Sequence, residues 1–295
     1  MVWTFIKTSL LIGFLTGILF VIAYLLGFSP ISALGFAALM NLVIYWFSDK
    51  FVLKMGGAKL VTEDDAPRVY AALRNLCANS GTKMPKVALV NSAVPNAFAT
   101  GRSPNNATVA VHSGLLSIVN DEELEAVLAH ELTHVRNWDT LTATVAATVA
   151  GAITYMAQWG MFFGGAFGYS GGNTRDRQGG NIITLLLMMV LAPLAAMIVQ
   201  LAVSRTREYA ADEGGAKLSG KPEALATALE KIDMWSKNRF QPQAAKNPVI
   251  SSLYIINPFR GGIMMELFST HPPTAKRIAR LQQMAANMGY GQFNL

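Results

Sequence analysis

Two histidines and a glutamate near the middle of the chain have the residue types and spacing of a metal-dependent hydrolytic site. The segment His130-Glu131-Leu132-Thr133-His134 places the histidines four residues apart. On an α-helix, positions i and i+4 lie on one face, so both imidazoles can reach a single metal ion. Glu131 follows the first histidine and is close enough to act as a base toward a water molecule there. This arrangement is typical of zinc peptidases when it falls on a helix.

A catalytic zinc site usually has a third protein ligand, and the second half of the chain offers a candidate. Glu208 and Asp212 lie four residues apart in Arg205-Thr206-Arg207-Glu208-Tyr209-Ala210-Ala211-Asp212, so they share one helical face. Glu208 would complete a set of two histidines and one glutamate. Asp212 could then accept a hydrogen bond from the free ring nitrogen of a ligating histidine. His112 and His271 are other candidates, and a solvated acidic helix face is the alternative interpretation.

The histidines lie in a segment whose pattern predicts an amphipathic helix. Asn120 or Asp121 caps the helix, and Glu122 and Glu123 occupy its first turn, where carboxylates complement the helix dipole. Its apolar stripe repeats at helical spacing and consists of Leu124, Val127, Leu128, Leu132 and Val135. We expect this helix to continue through Asp139 into the next apolar segment.

Four long apolar segments indicate a protein that spans a membrane. The chain has 295 residues, of which 52% are hydrophobic and 14% are charged, whereas soluble domains average about 25% charged residues. About 20 apolar residues suffice for a transmembrane helix. The predicted spans cover residues 8–28, 31–47, 141–163 and 182–203. A cleaved signal peptide is the alternative for the first segment, but its apolar run exceeds the usual roughly 7–15 residues.

These spans divide the chain into two membrane parts and two halves of a catalytic part. Residues 1–48 form a transmembrane hairpin, and residues 141–203 form a second pair joined by a glycine-rich loop outside the cytoplasm. Residues 49–140 and 204–295 have ordinary charge density and form the catalytic part. The first of these halves contains one predicted helix and two predicted strands, over residues 66–79, 86–90 and 108–111.

An extended segment between the two predicted strands is a candidate for substrate binding. It contains Asn96, Ala97, Phe98 and Ala99, and it is small and poor in charge. An exposed edge strand can bind an extended peptide by adding it to the sheet. An ordinary hairpin strand is the alternative, but the neighbouring metal motif favours a role in substrate binding.

The charge distribution predicts that the catalytic part faces the cytoplasm. The net charge is +6, and residues 204–295 hold 12 Lys or Arg against 7 Asp or Glu. Lys7, Lys50 and Lys54 flank the first two spans, and positive residues flank spans on the cytoplasmic side. We therefore expect a multi-pass protein of the cell inner membrane. No basic cluster interleaved with aromatic residues indicates nucleic acid, and the single cysteine, Cys77, excludes an internal disulfide.

The combined motifs resemble the membrane-embedded zinc metalloproteases of the HtpX heat-shock type, which are relatives of the CAAX prenyl endopeptidases. The resemblance rests on three separated motifs, on four spans and on Asn137 and Asp139. The motifs are the His130–His134 segment, Ser204-Arg205-Thr206-Arg207-Glu208-Tyr209-Ala210-Ala211-Asp212, and Ser269-Thr270-His271-Pro272. They occur in the family's order, and the resemblance covers essentially the whole chain.

This resemblance implies the fold and a role for each site residue. The expected fold is a mainly α membrane protein with four transmembrane helices and an α+β metalloprotease domain. That domain has a gluzincin-like active-site helix and a small β-sheet with a substrate-binding edge strand. One zinc ion is expected on His130, His134 and Glu208. Glu131 activates water, His271 contacts substrate or the developing oxyanion, Asn137 and Asp212 support the ligands, and the strand of Asn96–Ala99 binds substrate.

The predicted function is zinc-dependent endopeptidase action on misfolded or damaged membrane proteins at the cytoplasmic face. Such a hydrolase serves protein quality control and the stress response. The metal would lie about 10–15 Å from the hydrocarbon, at 1.5 Å per helical residue, which favours membrane-protein or unfolded polypeptide substrates. A prenyl-protein type endopeptidase and an inactive metal-binding membrane scaffold are the alternatives, and the oligomeric state is left open.

Overall fold

The computed structural model describes residues 27–149, 205–238 and 272–292, together with Ile255 and isolated residues between 6 and 24. The isolated residues of the first predicted span that lie between 9 and 24 are helical. The fourth predicted span, most of the third and His271 lie outside the described residues. The structure therefore describes the second predicted span in full and parts of the first and third.

A long apolar helix follows Ser29 and carries the second predicted span. Helix α1, Pro30–Met55, begins with proline in its first turn, and the Ser29 hydroxyl accepts a hydrogen bond from the Ser32 N–H. Among the described helices it alone is long and apolar enough to cross a membrane, and 17% of its most apolar window is buried. The predicted span ended at residue 47, but the helix continues to Met55 because no glycine or proline interrupts it before Gly56.

A four-stranded mixed sheet forms the base of the catalytic part. Its strands are β1 Ala58–Leu60, β2 Lys86–Val90, β3 Ala97–Ser103 and β4 Asn106–His112, in the order β1-β2-β4-β3. Strands β2 and β4 are parallel, whereas β1 pairs with β2 and β3 pairs with β4 in the antiparallel sense. The small sheet is therefore confirmed, and β3 lies at its edge. Strand β1, which was not predicted, adds the opposite edge.

Besides a helical segment at residues 139–149, six further helices are described. They are α2 Pro67–Ser80, α3 Ser113–Ile118, α4 Asp121–Arg136, α5 Arg205–Ser219, α6 Pro222–Asn238 and α7 Thr274–Gln292. Helix α4 lies at the centre and packs against α2, α5, α6 and the two strands β3 and β4. Fully buried leucines from four of the helices form the core around it: Leu73, Leu76, Leu124, Leu128, Leu132, Leu225, Leu229 and Leu281. A helix surrounded in this way holds its side chains in fixed positions.

The helix is interrupted between α4 and the next apolar segment, so the prediction of one continuous helix was wrong. Helix α4 ends at Arg136, Asn137 caps it, and residues 139–149 form a separate helical segment. Trp138 between them has a φ of 63°, in the left-handed region that bulky residues rarely adopt. The break changes the direction of the chain immediately after His134. It thereby allows Asp139 to turn back toward that histidine.

Candidate metal centre and active site

Three ligand atoms from two helices converge at one point. His130 and His134 lie one turn apart on α4, and Glu208 lies in the first turn of α5. The Glu208 carboxylate is 3.9 Å from Nε2 of His130 and 3.5 Å from Nε2 of His134. One ligand atom from each of the three residues lies within 4.8 Å of the other two. The structure therefore brings together the three predicted ligands, and two imidazoles with one carboxylate form a donor set that suits zinc.

Local sequence explains why α4 presents its histidines so rigidly. The Asn120 side chain accepts from the Glu123 N–H, and the Glu123 carboxylate accepts from the Asn120 N–H, which completes a capping box. Lys231 of α6 also donates to the Glu123 carboxylate at 2.7 Å. The start of the helix is thus held by its own side chains and by a neighbouring helix.

Two glycines allow α5 to approach α4 closely enough for Glu208 to reach the histidines. A Cβ atom at Gly215 would lie 2.7 Å from the backbone nitrogen of His130 and 2.8 Å from its Cα. A Cβ atom at Gly214 would lie 2.6 Å from the Thr133 methyl group. Any side chain at Gly215 therefore forces the two helices apart. Sequence reasoning missed this pair, although two adjacent glycines within a helical pattern are a signal of close packing.

A carboxylate lies behind each ligating histidine. Oδ1 of Asp212 is 3.1 Å from Nδ1 of His130, and Oδ2 of Asp139 is 3.2 Å from Nδ1 of His134. Such contacts fix the ring orientation and leave Nε2 free to bind a metal. The predicted position of Asp212 thus agrees with the geometry. Asn137 is an exposed residue at the end of α4, and the carboxylate of Asp139 takes the supporting position predicted for it.

Arg277 on α7 completes this arrangement, and sequence reasoning missed it. Its side chain is 1% exposed and donates to both Asp212 oxygens, from Nε at 2.8 Å and from Nη2 at 2.6 Å. Burial raises the pKa of the Asp212 carboxyl, but the charge of Arg277 and the contact with His130 outweigh burial and lower it to about 2. The signal in the sequence was Leu281, one helical turn further on and fully buried, which places Arg277 on the buried face of α7.

Arg277 also links the metal centre to the edge strand. Its Nη1 donates to the Ile255 carbonyl oxygen at 2.9 Å, and the Ile255 N–H donates to Oδ1 of Asn96 at 2.9 Å. Asn96 is 1% exposed and immediately precedes β3. A continuous path of hydrogen bonds therefore runs from Asp212 behind the metal centre to the start of the candidate substrate strand.

The electrostatics of the site fit a bound cation. Four buried carboxylates surround the two imidazoles: Glu131, Asp139, Glu208 and Asp212. Among the described residues, the side-chain cations that contact these carboxylates are Arg207 and Arg277. Burial lowers the pKa of His134, but the hydrogen bond to Asp139 and the nearby glutamates outweigh burial and raise it to about 9. The surroundings of His134 therefore favour positive charge, as expected at a cation site.

Glu131 lies between the metal centre and the edge strand. Burial raises the pKa of its carboxyl above the ordinary glutamate value, and the nearby Ala99 N–H opposes that effect. Residues Ala97 to Gly101 of β3 are buried, so the edge strand is enclosed rather than exposed. Ala97, Phe98 and Ala99 thus lie beside α4, and peptide binding by them stays a prediction. His271, the remaining predicted catalytic residue, lies outside the described residues.

Comparisons with known proteins agree with this geometry. The model of peptidase family M48 matches residues 63–285. A protease HtpX homolog from Pyrococcus furiosus is 50% identical over 289 residues, covering 96% of this chain and 97% of that protein. One from Thermococcus sibiricus is 51% identical over 288 residues, with the same two coverages. One from Polynucleobacter necessarius is 46% identical over 292 residues, covering 98% of each chain.

One solved structure is also matched. The crystal structure of Ste24p from S. mikatae matches with a TM-score of 0.44 and 20% identity, covering 83% of this chain and 56% of that one. The family match and the relatives from archaea and bacteria span both halves of the catalytic part, and so include all three candidate ligands. The chain therefore belongs to peptidase family M48, with the HtpX-type membrane metalloproteases among its close relatives.

Proposed function

We propose that the chain is a multi-pass, zinc-dependent endopeptidase that cleaves misfolded or damaged membrane proteins at the cytoplasmic face. The observation that carries the proposal is the convergence of His130, His134 and Glu208 within 4.8 Å, with Glu131 next to them in the chain. A metal site with a purely structural role does not need a general base such as Glu131 beside the ligands. A buried site with a neighbouring carboxylate is the arrangement that metal-dependent hydrolysis requires.

The proposed metal is zinc, because the donor set is two imidazoles and one carboxylate. When bound, zinc supplies Lewis acidity toward water and toward a peptide carbonyl. Asp212 and Asp139 hold the two imidazoles in the tautomer that keeps Nε2 free.

Glu131 is the proposed general base and then general acid. Its carboxylate takes a proton from the attacking water and later gives that proton to the amine of the leaving peptide. A carboxyl buried among apolar and charged groups binds a proton more strongly than one in water, which suits this exchange. His271 is the proposed donor to the developing oxyanion. Such a donor typically lowers the activation free energy by roughly 3 kcal/mol.

The proposed substrate strand is the segment of Asn96 to Ala99. Its support is the packing of β3 against α4, with the Ala99 N–H near the carboxyl of the proposed base, Glu131. A peptide that pairs with β3, with the edge of this enclosed strand uncovered, would lie along α4 with a peptide bond near Glu131. Loops and unfolded tails can adopt the extended form that this pairing needs, which favours poorly folded substrates.

The test is to separate metal binding from catalysis in the purified full-length chain. We expect Glu131→Gln to retain one zinc ion per chain by elemental analysis and to lose cleavage of unfolded casein by at least about a hundredfold. Glu208→Ala should lose both zinc and cleavage. Cleavage by Glu131→Gln at the wild-type rate would reject Glu131 as the base. Stoichiometric zinc in Glu208→Ala would reject the proposed ligand set.

A further inference from the structure

A basic groove lies between the end of α1 and one end of the sheet, away from the metal centre. Its cavity volume is about 570 Å³, and four cations from four segments of the chain line it: Lys50, Lys83, Lys86 and Arg102. Lys50 belongs to α1 and Lys83 to the loop before β2, whereas Lys86 begins β2 and Arg102 lies in β3. The fold thus gathers into one groove cations that are scattered in the sequence.

The charge of the groove is unbalanced. Asp49 is the one carboxylate among its lining residues. Within the described part of the chain, none of the four cations forms an ion pair, whereas exposed lysines elsewhere, such as Lys217 and Lys237, pair with carboxylates. Four cations that converge without carboxylate partners repel one another unless an anion lies among them.

If α1 crosses a membrane, the groove lies at the level of the lipid headgroups. Trp46 and Phe47 line it and belong to α1, the helix that is apolar enough to cross a membrane. Aromatic residues near the end of such a helix mark the interface between hydrocarbon and headgroups. Leu42 and Val43, about one turn further into the apolar segment, also line the groove and are exposed. The groove is therefore basic at one end and apolar at the other.

Arg102 is oriented by this interface. Its guanidinium carbon lies 4.3 Å from the centre of the Trp46 ring, and its Nη1 donates to the Trp46 carbonyl oxygen at 3.4 Å. Stacking on an indole holds a guanidinium in a fixed plane and leaves other N–H groups free to bind phosphate oxygens. Lys50 lies 5.6 Å from the centre of the Phe47 ring on the same helix.

We propose that this groove binds the phosphate of an anionic phospholipid from the surrounding membrane. The cations contact the phosphate and headgroup, and Leu42, Val43 and Phe47 contact the first part of the acyl chains. The proposal relies on α1 lying in a membrane but not on the peptidase chemistry. Bound lipid would fix the sheet, and with it β3, at a set depth relative to the bilayer.

The test compares lipid retention by purified full-length protein carrying Glu131→Gln, which prevents self-cleavage. Native mass spectrometry from neutral detergent measures bound phosphatidylglycerol against phosphatidylcholine with the same acyl chains. We expect preferential retention of phosphatidylglycerol. The triple variant Lys83→Gln, Lys86→Gln and Arg102→Gln should lower that retention at least about tenfold, given about 1 kcal/mol per basic residue near an anionic surface. An unchanged melting temperature in detergent shows that the variant is folded.

Two matched variants make the test specific to the groove. Lys217→Gln, Lys237→Gln and Lys276→Gln remove the same charge from exposed positions elsewhere and should leave retention unchanged. Asp49→Asn removes the carboxylate of the groove and should raise retention, which a merely structural role of the groove would not do. Equal loss of lipid in both triple variants would overturn the proposal, because it would indicate a general effect of net charge.

Other anions provide the remaining outcomes. Glycerol 3-phosphate carries the phosphate without acyl chains, and we expect it to displace phosphatidylglycerol only at concentrations at least about a hundredfold higher than the lipid, because it lacks the apolar contacts. Displacement at equal concentration would assign the groove to a soluble phosphate compound. Retention of a short oligonucleotide without retention of phosphatidylglycerol would assign it to a polyanion. Either result overturns the lipid proposal.

Discussion

Arg277 is the residue through which the candidate metal centre and the candidate substrate strand are joined. A fully buried guanidinium is stable only when its charge and its N–H groups are satisfied. Asp212 supplies the charge, and the Ile255 carbonyl oxygen accepts a further hydrogen bond. Because Ile255 in turn donates to Asn96, the position of Arg277 affects both the His130 ring and the start of β3.

Replacing Arg277 by lysine should weaken metal binding although charge is kept. Lysine cannot donate two parallel hydrogen bonds to Asp212, so Asp212 would hold the His130 ring less firmly. We expect zinc affinity, measured by competition with a chromogenic chelator, to fall about 10–100-fold. Arg280→Lys, one turn further along α7 at an exposed position, is the matched control. An Arg277→Lys variant with wild-type zinc affinity would show that Asp212 holds His130 without the arginine.

His112 is a buried histidine, and the folded state is stable only while this histidine is neutral. It is 2% exposed, its ring contacts Phe98 edge-on at 6.3 Å, and its Nδ1 lies 3.1 Å from the Val94 carbonyl oxygen. Burial outweighs that hydrogen bond and lowers the pKa of His112 to about 4. The site geometry leaves it out of the metal set, although the sequence made it a candidate ligand.

The pKa of His112 predicts a loss of stability in mild acid. An unfolded histidine has a pKa near 6.5, so the unfolded chain takes up a proton before the folded one as the pH falls from about 6.5 to 4. That difference lowers the free energy of unfolding by up to about 3 kcal/mol. His112→Asn keeps a donor for Val94 and removes the titration. Its melting temperature in detergent should therefore fall less than that of the wild type between pH 6.5 and pH 4.5, and parallel falls would contradict the assignment.

At the scale of elements, the contact between α4 and α5 determines whether a metal site exists. The histidines belong to one helix and Glu208 to the other, so the distance between the helix axes sets the distance between ligands. Gly214 and Gly215 provide the close approach. The capping box at Asn120 and the break at Trp138 determine where α4 begins and ends, and the break brings Asp139 to His134.

A single methyl group at the helix contact should therefore disturb the metal centre. Gly215→Ala places a Cβ atom against the His130 backbone, which cannot move aside as a flexible side chain would. We expect α5 to be displaced, with zinc affinity reduced at least about tenfold and a lower melting temperature. Lys217→Ala, on the exposed face of the same helix, should leave both unchanged. Wild-type affinity in Gly215→Ala would mean that the helices can separate without moving Glu208.

At the scale of the whole molecule, two distant parts of the chain build one site. The helix that carries the histidines comes from residues 49–140, and Glu208, Asp212 and Arg277 come from residues 204–295. The model of family M48 matches residues 63–285 and therefore includes residues from both parts. If the chain spans the membrane four times, as we propose, both parts lie on the same side of it. An even number of spans between them is needed for Glu208 to meet His130.

The proposed orientation can be tested with cysteine labelling in intact cells. Lys237→Cys, at an exposed position of α6, is made in a Cys77→Ser background, so the protein has one thiol. A charged, membrane-impermeant maleimide should label this position only after the membrane is opened. Labelling in intact cells would place the catalytic part outside and contradict the cytoplasmic orientation. Labelling of Cys77→Ser alone would reveal background, and none is expected.

The candidate ligands and the helices that carry them could be predicted from local sequence patterns. The histidine spacing matched the helical repeat, Glu208 and Asp212 shared a face, and Asn120 marked the start of α4 where the structure has it. These are local properties, because spacing along a helix and capping depend on residues within a few positions of one another. The resemblance to one family followed from the same short motifs.

The surroundings of the candidate ligands could not be predicted in this way, because they come from distant parts of the chain. Arg277 is 65 residues from Asp212, and its pattern in the sequence is that of an ordinary basic helix residue, so no local rule pairs them. Asp139 rather than Asn137 supports His134, because the left-handed turn at Trp138 rotates the chain. The four cations of the basic groove likewise come from separate segments. Such contacts depend on how elements pack together, and packing is set by the whole core rather than by any one stretch of sequence.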